Sequence, residues 1–294
     1  MMTVTRLGIA TLLLGLGGGA ASAQNQPTGF TVGNPLGLPI VPTPGQTFAP
    51  MSSNVKVYGA IFSAESCSYD PVRNLIVVPN RNVGQAVQDN NAWISFINHD
   101  GSVHTARWIG INRNELVLNE PLGSDIVGGV LYLADRDGGL GTIVVAGGSA
   151  GVQAGPNTPQ VSVVRKFNME TGRPMGEIRV ETATGFNDLE VADDGTIYAT
   201  VSGAQGHVYR ITAAGQASVF IPTGAPLNSP NGIAIDPAGN IVVANSGDAA
   251  ILTFDRSGRL IATEQAVQAG TDGLVIMPDG TKYASSVQNG GVSM

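Results

Sequence analysis

Side chains with oxygen atoms recur at one place in four similar segments of the chain. Each segment consists of a polar doublet, a short apolar run, a tight turn and a second apolar run. The segments align on their turn residues, which are Arg73, Gly195, Gly239 and Gly280. The position eight residues before each turn residue carries a different polar side chain, namely Glu65, Asn187, Asn231 and Asp272. This pattern predicts a site at which successive repeats converge.

The chemistry of these side chains favours a metal ion. Carboxylate and amide oxygens, without His or Cys, suit a hard divalent cation. We predict that Glu65, Asn231 and Asp272 bind one such ion. Calcium is expected first, because it tolerates irregular oxygen cages, and Mg, Mn or Zn are the alternatives. A second interpretation remains open, in which Asn-Gly and Asp-Gly doublets are turn residues that lead into a strand.

The composition limits the class of protein and its partners. Residues 1–23 have the features of a secretory signal: Arg6, an apolar stretch and small residues before the cleavage site at Ala23. Loss of Arg6 would make the formal charge of −7 one unit more negative. An acidic chain lacks the basic face that nucleic acids and anionic membranes require. We therefore expect a periplasmic or secreted protein with no nucleic-acid partner and, after signal cleavage, no membrane partner.

The single cysteine, Cys67, excludes an internal disulfide. A small thiol in an apolar strand favours a buried packing role, and no histidine near it in sequence supports a nucleophilic one. His99, His104 and His207 fall on predicted turns or outer strands and are expected to be surface or packing residues.

The element pattern predicts an all-β protein. Forty glycines and seventeen prolines suit many short strands and tight turns. The 44 residues from Asn187 to Asn231, and the 41 from Asn231 to Asp272, fall in the range of four-stranded propeller blades. We predict a Pro- and Gly-rich lead-in at 24–52 and a β-propeller at 53–294. About five blades are present, and the last is incomplete.

Two insertions, Asn80 to Asn91 and Arg136 to Gln160, are predicted to join the second and third strands of blades one and two. Both should emerge at the mouth, where the innermost strands begin. The second is Gly-rich and suits either a mobile cover or a solvent loop without a role. A looser alignment of blade two places Ser124 at the recurring polar position.

The motifs resemble a known family. Glu65 in an ExxxxD frame, FND at Phe186, PNGIAID at Pro230 and TDGL at Thr271 are similar in order to the gluconolactonase / regucalcin-like (senescence marker protein) propellers. The resemblance implies a six-bladed lactonase- or NHL-like fold. It implies one divalent metal on Glu65, Asn231 and Asp272, and substrate contact by Asn187. It also implies hydrolysis of sugar lactones or related esters, with the metal-bound Asp272 as general base.

Asp188 is a second candidate base, although its position after an inward residue predicts a side chain directed toward the blade interior or the mouth. Together with Ser124, it is also predicted to contact substrate. The resemblance has departures as well: Ser66-Cys67 replaces Gly-Pro, and Gly185 replaces the Arg of the motif RFND. An arginine that binds substrate is therefore expected to be missing.

The chain also stops inside the fifth blade, which predicts a truncated product or a smaller ring. Asn54 to Phe62 is the spare strand that would complete the last blade. Without a sixth blade, we expect a gapped, aggregation-prone ring. Two other functions remain open. One is a non-catalytic NHL-like propeller that binds a ligand or protein partner. The other is an enzyme related to strictosidine-synthase or arylesterase-like propellers.

Overall fold

The computed structural model describes residues 60–294 except 82–89, 91, 111–115, 145–149 and 225, and it does not describe the side chains of 138–159. The chain divides into two units. Met1–Tyr58 lies outside the described residues, and Gly59–Met294 carries all the described strands. The predicted signal and lead-in are thus outside the described part. Within that part, no helix has the length and apolar character needed to cross a membrane.

Nineteen described strands form five antiparallel sheets, and each sheet is built from consecutive strands. Blade one contains β1 (Ser68–Asp70), β2 (Leu75–Asn80), β3 (Trp93–Ile97) and β4 (Val103–Gly110). Blade two contains β5 (Ser124–Val127), β6 (Val130–Val144), β7 (Ala150–Asn168) and β8 (Pro174–Val180). Blade three contains β9 (Phe186–Val191), β10 (Ile197–Val201), β11 (His207–Ile211) and β12 (Ala217–Ile221).

Blade four contains β13 (Pro230–Ile235), β14 (Ile241–Asn245), β15 (Ala250–Phe254) and β16 (Leu260–Gln265). Blade five has three strands, β17 (Thr271–Ile276), β18 (Lys282–Ser286) and β19 (Gly291–Ser293). The first strand of each blade contacts the first strand of the next, from β1 through β5, β9 and β13 to β17. The described residues therefore form an all-β propeller of five blades.

Apolar side chains between consecutive blades hold this arrangement together. Four buried clusters lie, in order, between blades one and two, two and three, three and four, and four and five. Phe96 and Leu133 belong to the first, Phe186 and Leu189 to the second. Each fully buried side chain of this size contributes about 1.5–3 kcal/mol. No blade buries both faces alone, so the stacking of blades forms the core.

Three predictions about the chain's connections need correction or remain open. The Gly-rich part of 136–160 is not a loop, because β6 and β7 pair as a long ribbon out to Val144 and Ala150. Most of Asn80 to Asn91 lies outside the described residues. The same holds for residues 54–59 of the predicted closing strand, and residues 60–62 are not in a strand.

Blade five confirms the prediction of three strands near the end of the chain. One of its faces packs on blade four through Leu274 and Ala284. Val275, Tyr283 and Val292 are exposed. Such exposure is what the predicted gap requires, and the open, aggregation-prone ring stays a prediction.

Candidate functional site

The innermost strands of blades three, four and five each contain a β-bulge at the same position. In β9, Leu189 pairs with Ala199 and Phe186 with Val201, so Asn187 and Asp188 together face Thr200. The registers of β13 and β17 show the same shift at Asn231-Gly232 and Asp272-Gly273. Bulges commonly lie next to active sites, where they redirect a side chain. The predicted equivalence of Asn187, Asn231 and Asp272 is therefore also structural.

Blade one departs from this register by one residue. Its left-handed turn residue is Asn74, with φ of 57°, rather than Arg73. Ala64 forms a bridge with Asn80, and Ser68 pairs with Val77. The three residues from Glu65 to Cys67 therefore face only the two residues between Val77 and Asn80. In strand register, Ser66 is the counterpart of the bulge residues and Glu65 precedes it. Alignment on the turn residue missed this because the turn of blade one is shorter.

Ser124 is displaced as well. The carbonyl of Ala134 accepts a hydrogen bond from the N–H of Leu122, and the N–H of Ala134 donates to the carbonyl of Gly123. The bulge of blade two therefore lies at Leu122-Gly123. Ser124 lies two residues from the predicted position. Its hydroxyl lies 2.6 Å from the Ser68 hydroxyl and 3.1 Å from that of Ser66. It links the inner strands of blades one and two.

Asp272 and Asn231 occupy equivalent bulge positions in neighbouring inner strands at the mouth, where these strands begin. The Asn231 side chain lies close enough to the Asp272 carboxylate to lower its pKa. Burial nevertheless raises the pKa of Asp272, against the lowering effects of Asn231 and Arg81. Burial, followed by the charges of Asp188 and Asp272, raises the pKa of Glu65 to about 8. These carboxylates thus lie within electrostatic range of one another.

Asp188 lies in the wall between neighbouring inner strands rather than toward the blade interior. Its carboxylate accepts the N–H of Leu189 at 2.9 Å and that of Ile233, in the next blade, at 3.2 Å. A Cβ on Gly123, in the preceding blade, would lie 2.2 Å from Asp188 Oδ1. Burial raises the pKa of Asp188 to about 7 despite these hydrogen bonds. Such a pKa suits a general base near neutral pH.

Asn187 carries an unused acceptor. Its Oδ1 is buried and has no hydrogen-bond partner among the described residues. A buried acceptor without a partner is costly. The atom is therefore available to a ligand hydroxyl.

Two further carboxylates lie deeper along the inner strands, and the sequence reasoning missed them. The N–H of Val191 donates to Asp125 at 2.9 Å, and Glu190 lies near the N–H of Ile235, which lowers its pKa. Burial is the main cause that raises the pKa of both groups. Side chains two apart on a strand share a face, so the spacing of Asp188 and Glu190 was a usable signal.

Arginines at the mouth were also missed. Arg81 directly follows β2 and Arg136 lies in β6. Both lower the pKa of Glu65, and Arg81 also lowers that of Asp272. Between the two guanidinium groups lies the buried carboxylate of Glu120. Nothing in the local sequence pattern indicates this association, because it depends on how blades one and two stack.

Cys67 is exposed, so the predicted packing role is wrong. Desolvation of the thiol, followed by the charge of Asp188, raises its pKa. The reactive thiolate is therefore disfavoured. Elsewhere, a cavity of about 600 Å³ lies at the opposite ends of β9 and β13, where Glu190, Arg210 and Arg256 line it. It is remote from the mouth residues Glu65 and Asp272.

The donor set of the mouth fits a hard cation. Burial raises the pKa of both Glu65 and Asp272, and neighbouring negative charge also raises that of Glu65. A cation stabilises such carboxylates, and the Asn231 amide offers an oxygen. Among the described residues, no three His, Cys, Asp or Glu side chains are grouped closely enough to hold an ion. An ion here would thus require the amide oxygen together with Glu65 and Asp272.

Comparison with known proteins supports the fold. Residues 227–254, which span most of blade four, match the NHL repeat. No curated protein matches the chain. A chain in the crystal structure of a nidogen/laminin complex is similar to this chain. Its TM-score is 0.55 and its sequence identity is 12%, over 78% of this chain and 74% of that one. These observations support a β-propeller fold in which one segment is similar to the NHL repeat.

Two further solved structures are similar. A protein of unknown function from Bacteroides caccae aligns at TM-score 0.50 and 13% identity, over 77% of this chain and 72% of that one. A gluconolactonase from Xanthomonas campestris aligns at TM-score 0.46 and 19% identity, over 79% and 72%. At these identities the likeness concerns the fold alone.

Proposed function

We propose that this protein is a secreted or periplasmic, metal-dependent hydrolase of sugar lactones or related carboxylic esters. It would be of the six-bladed gluconolactonase / regucalcin-like type that its motifs resemble. The observation that supports the proposal most is the shared bulge position of Asn231 and Asp272 in neighbouring inner strands, with Asp272 within electrostatic range of Glu65. These are the three residues expected to hold the metal, with calcium first among the candidate ions.

The chemistry that a metal ion would supply is distinct from the proton transfer assigned to the protein's side chains. A bound divalent ion supplies Lewis-acid polarisation of an ester carbonyl and a lower pKa for water. Asp272 acts as the general base that accepts the proton of the attacking water. Asp188 is the second candidate, and its pKa of about 7 gives it a mixed protonation state near neutral pH.

Substrate orientation is assigned to groups beside the metal ligands. The unpartnered Oδ1 of Asn187 can accept a hydrogen bond from a ring hydroxyl. Ser124 contributes by tying β5 to β1 through Ser68 and Ser66. A lactone presents both a carbonyl and several hydroxyls, so it matches the mixed donor and acceptor set of the mouth.

A non-catalytic NHL-like propeller that binds a ligand or protein partner is the second candidate. The NHL match in blade four favours it. The absence, among the described residues, of a His/Cys/Asp/Glu trio suited to a metal also favours it. In that case, the polar doublets would stabilise the turns and inner strands only.

Hydrolysis of a broad lactone panel, with added Ca²⁺, Mn²⁺ or Zn²⁺, tests the proposal. Asp272→Asn should retain the fold and lower kcat by about 10²- to 10⁴-fold, the usual contribution of a positioned base. Asp279→Asn, at an exposed turn in the same blade, is the matched control and should leave kcat unchanged. If wild-type protein hydrolyses no lactone with any of these ions, the binding-module alternative is favoured instead.

A further inference from the structure

We propose that Arg81 and Arg136 form an anion-binding subsite at the propeller mouth, and that the substrate is a sugar-acid lactone with a free carboxylate in addition to its ester. This inference rests on the proposed lactonase function and specifies its substrate class.

The two arginines carry more charge than their local partner neutralises. Arg136 Nη1 lies 3.4 Å from Glu120 Oε2, and Arg81 Nη1 lies 4.0 Å from Glu120 Oε1. One carboxylate thus serves two guanidinium groups. When Glu65 and Asp272 hold a divalent ion, their charges are engaged by it. An anion that reaches the two guanidinium groups would then be attracted by them.

Few of the hydrogen-bond donors of these arginines meet an acceptor among the described residues. A guanidinium has five N–H donors. Arg81 donates from Nε to the Ser63 carbonyl at 3.2 Å. The Nε of Arg136 is buried and has no hydrogen-bond partner among the described residues. An acceptor that reaches this donor would relieve its desolvation cost.

Because Gly185 has no side chain, the Arg136 guanidinium group can pack close to the backbone at this position. A Cβ at Gly185 would lie 3.6 Å from Arg136 Cζ and 3.7 Å from its Nε and Nη2. The guanidinium therefore packs against the backbone immediately before β9. An arginine at position 185 would compete for this space, so an arginine from blade two occupies the region where the sequence motif lacks one.

An unpartnered donor and an unpartnered acceptor thus flank the start of β9. Arg136 packs on Gly185, and Asn187 lies two residues further along the chain. A carboxylate accepts hydrogen bonds from a guanidinium, often in bidentate form. A hydroxyl can donate to the Asn187 oxygen. A sugar-acid lactone presents both a carboxylate and hydroxyls, whereas a neutral sugar lactone presents hydroxyls and its ester carbonyl but no carboxylate.

A matched pair of substrates tests the subsite. Glucaro-1,4-lactone and glucono-1,4-lactone share their ring and differ by a carboxylate in place of a hydroxymethyl group. We expect kcat/KM to favour glucaro-1,4-lactone. Arg136→Gln and Arg81→Gln should each reduce that preference by roughly 10- to 100-fold, the equivalent of one charge-assisted hydrogen bond. Arg136→Lys should retain part of it, because it keeps the charge but loses the planar donor set.

The controls separate specificity from stability. Arg210→Gln, an exposed arginine at the opposite end of the blades, should leave the preference unchanged. Thermal unfolding of each variant shows whether it is folded. Equal kcat/KM for the two lactones, or equal losses on both in the arginine variants, would overturn the inference while leaving the lactonase proposal intact.

A binding experiment without turnover makes the two proposals distinguishable. Calorimetric titration with glucarate, in the presence of Ca²⁺, should show binding to wild-type protein and a loss of roughly 10- to 100-fold in affinity for Arg136→Gln. If glucarate binds in this way but no lactone is hydrolysed, the subsite stands and the lactonase proposal fails. If glucarate does not bind wild-type protein, the subsite is wrong.

Discussion

Asp188 makes the free energy of unfolding depend on pH in a direction opposite to that of an ordinary surface carboxylate. Burial raises its pKa from 3.8 to about 7 in the folded protein. The folded state therefore holds a proton that the unfolded state releases between these values. The resulting stabilisation is complete below pH 4 and is lost as the pH rises through 7.

The magnitude follows from the shift. Each unit of pKa difference corresponds to 1.36 kcal/mol, so the folded state loses about 3 kcal/mol from this group between pH 5 and pH 8. Asp188→Asn replaces the carboxyl by a neutral group of the same shape. Its unfolding free energy should lack this decline.

Urea unfolding of wild type and Asp188→Asn at pH 5, 6, 7 and 8, in chelator, measures the effect. The difference between the two proteins should change by about 3 kcal/mol across this range, with the variant relatively more stable at pH 8. Asp279→Asn is the control, because the pKa of Asp279 is lowered and the group stays ionised throughout. Parallel profiles for wild type and Asp188→Asn would refute the burial of a raised-pKa carboxylate at this position.

Three further variants test individual contacts. Gly123→Ala should lower the free energy of unfolding by about 1–3 kcal/mol, since the added Cβ would lie 2.2 Å from Asp188 Oδ1 and 2.4 Å from its Cα. Arg165→Met should cost about 3–5 kcal/mol, since Arg165 is buried and pairs with Asp135, Asp137 and Glu177. Asn187→Leu should not destabilise the fold, because it removes an unpartnered acceptor, but it should raise the KM for lactones.

The first two of these variants each have a matched comparison within the chain. Gly185→Ala is the control for Gly123→Ala, because its Cβ would make only ordinary contacts of 3.6 Å or more, and denaturant unfolding should show little change. Lys282→Met, which removes a more exposed ion pair with Glu264, is the comparison for Arg165→Met and should have little effect. Equal losses within either pair, or a large loss of stability in Asn187→Leu, would contradict the packing described for these residues.

The repeat and its blades could be predicted from sequence because their cause is local. Alternating apolar runs and turns with Gly195, Gly239 and Gly280, all at positive φ, specify hairpins without help from distant residues. The recurring position of Asn187, Asn231 and Asp272 was found for the same reason. The shorter turn of blade one hid the one-residue offset of Glu65, because register is set by strand pairing rather than by distance from the turn.

The rest of the mouth depends on how blades stack, which no local pattern reports. Arg136 reaches Gly185 across the contact between blades two and three. Asp188 accepts an N–H from blade four, a contact with the next inner strand that its sequence position does not indicate. The bulge changes the alternation of side chains at this point. The long ribbon of β6 and β7 was mistaken for a loop because its glycines weaken the strand signal.

We propose above all that the mouth holds one divalent cation on Glu65, Asn231 and Asp272. Elemental analysis by mass spectrometry, after dialysis of purified protein against Ca²⁺, Mn²⁺ or Zn²⁺, tests it directly. We expect one bound ion per wild-type chain, with Ca²⁺ first, and loss of that ion in Glu65→Gln and Asp272→Asn but not in Asp279→Asn. Wild-type protein without a stoichiometric ion, or an ion retained in both Glu65→Gln and Asp272→Asn, would contradict it.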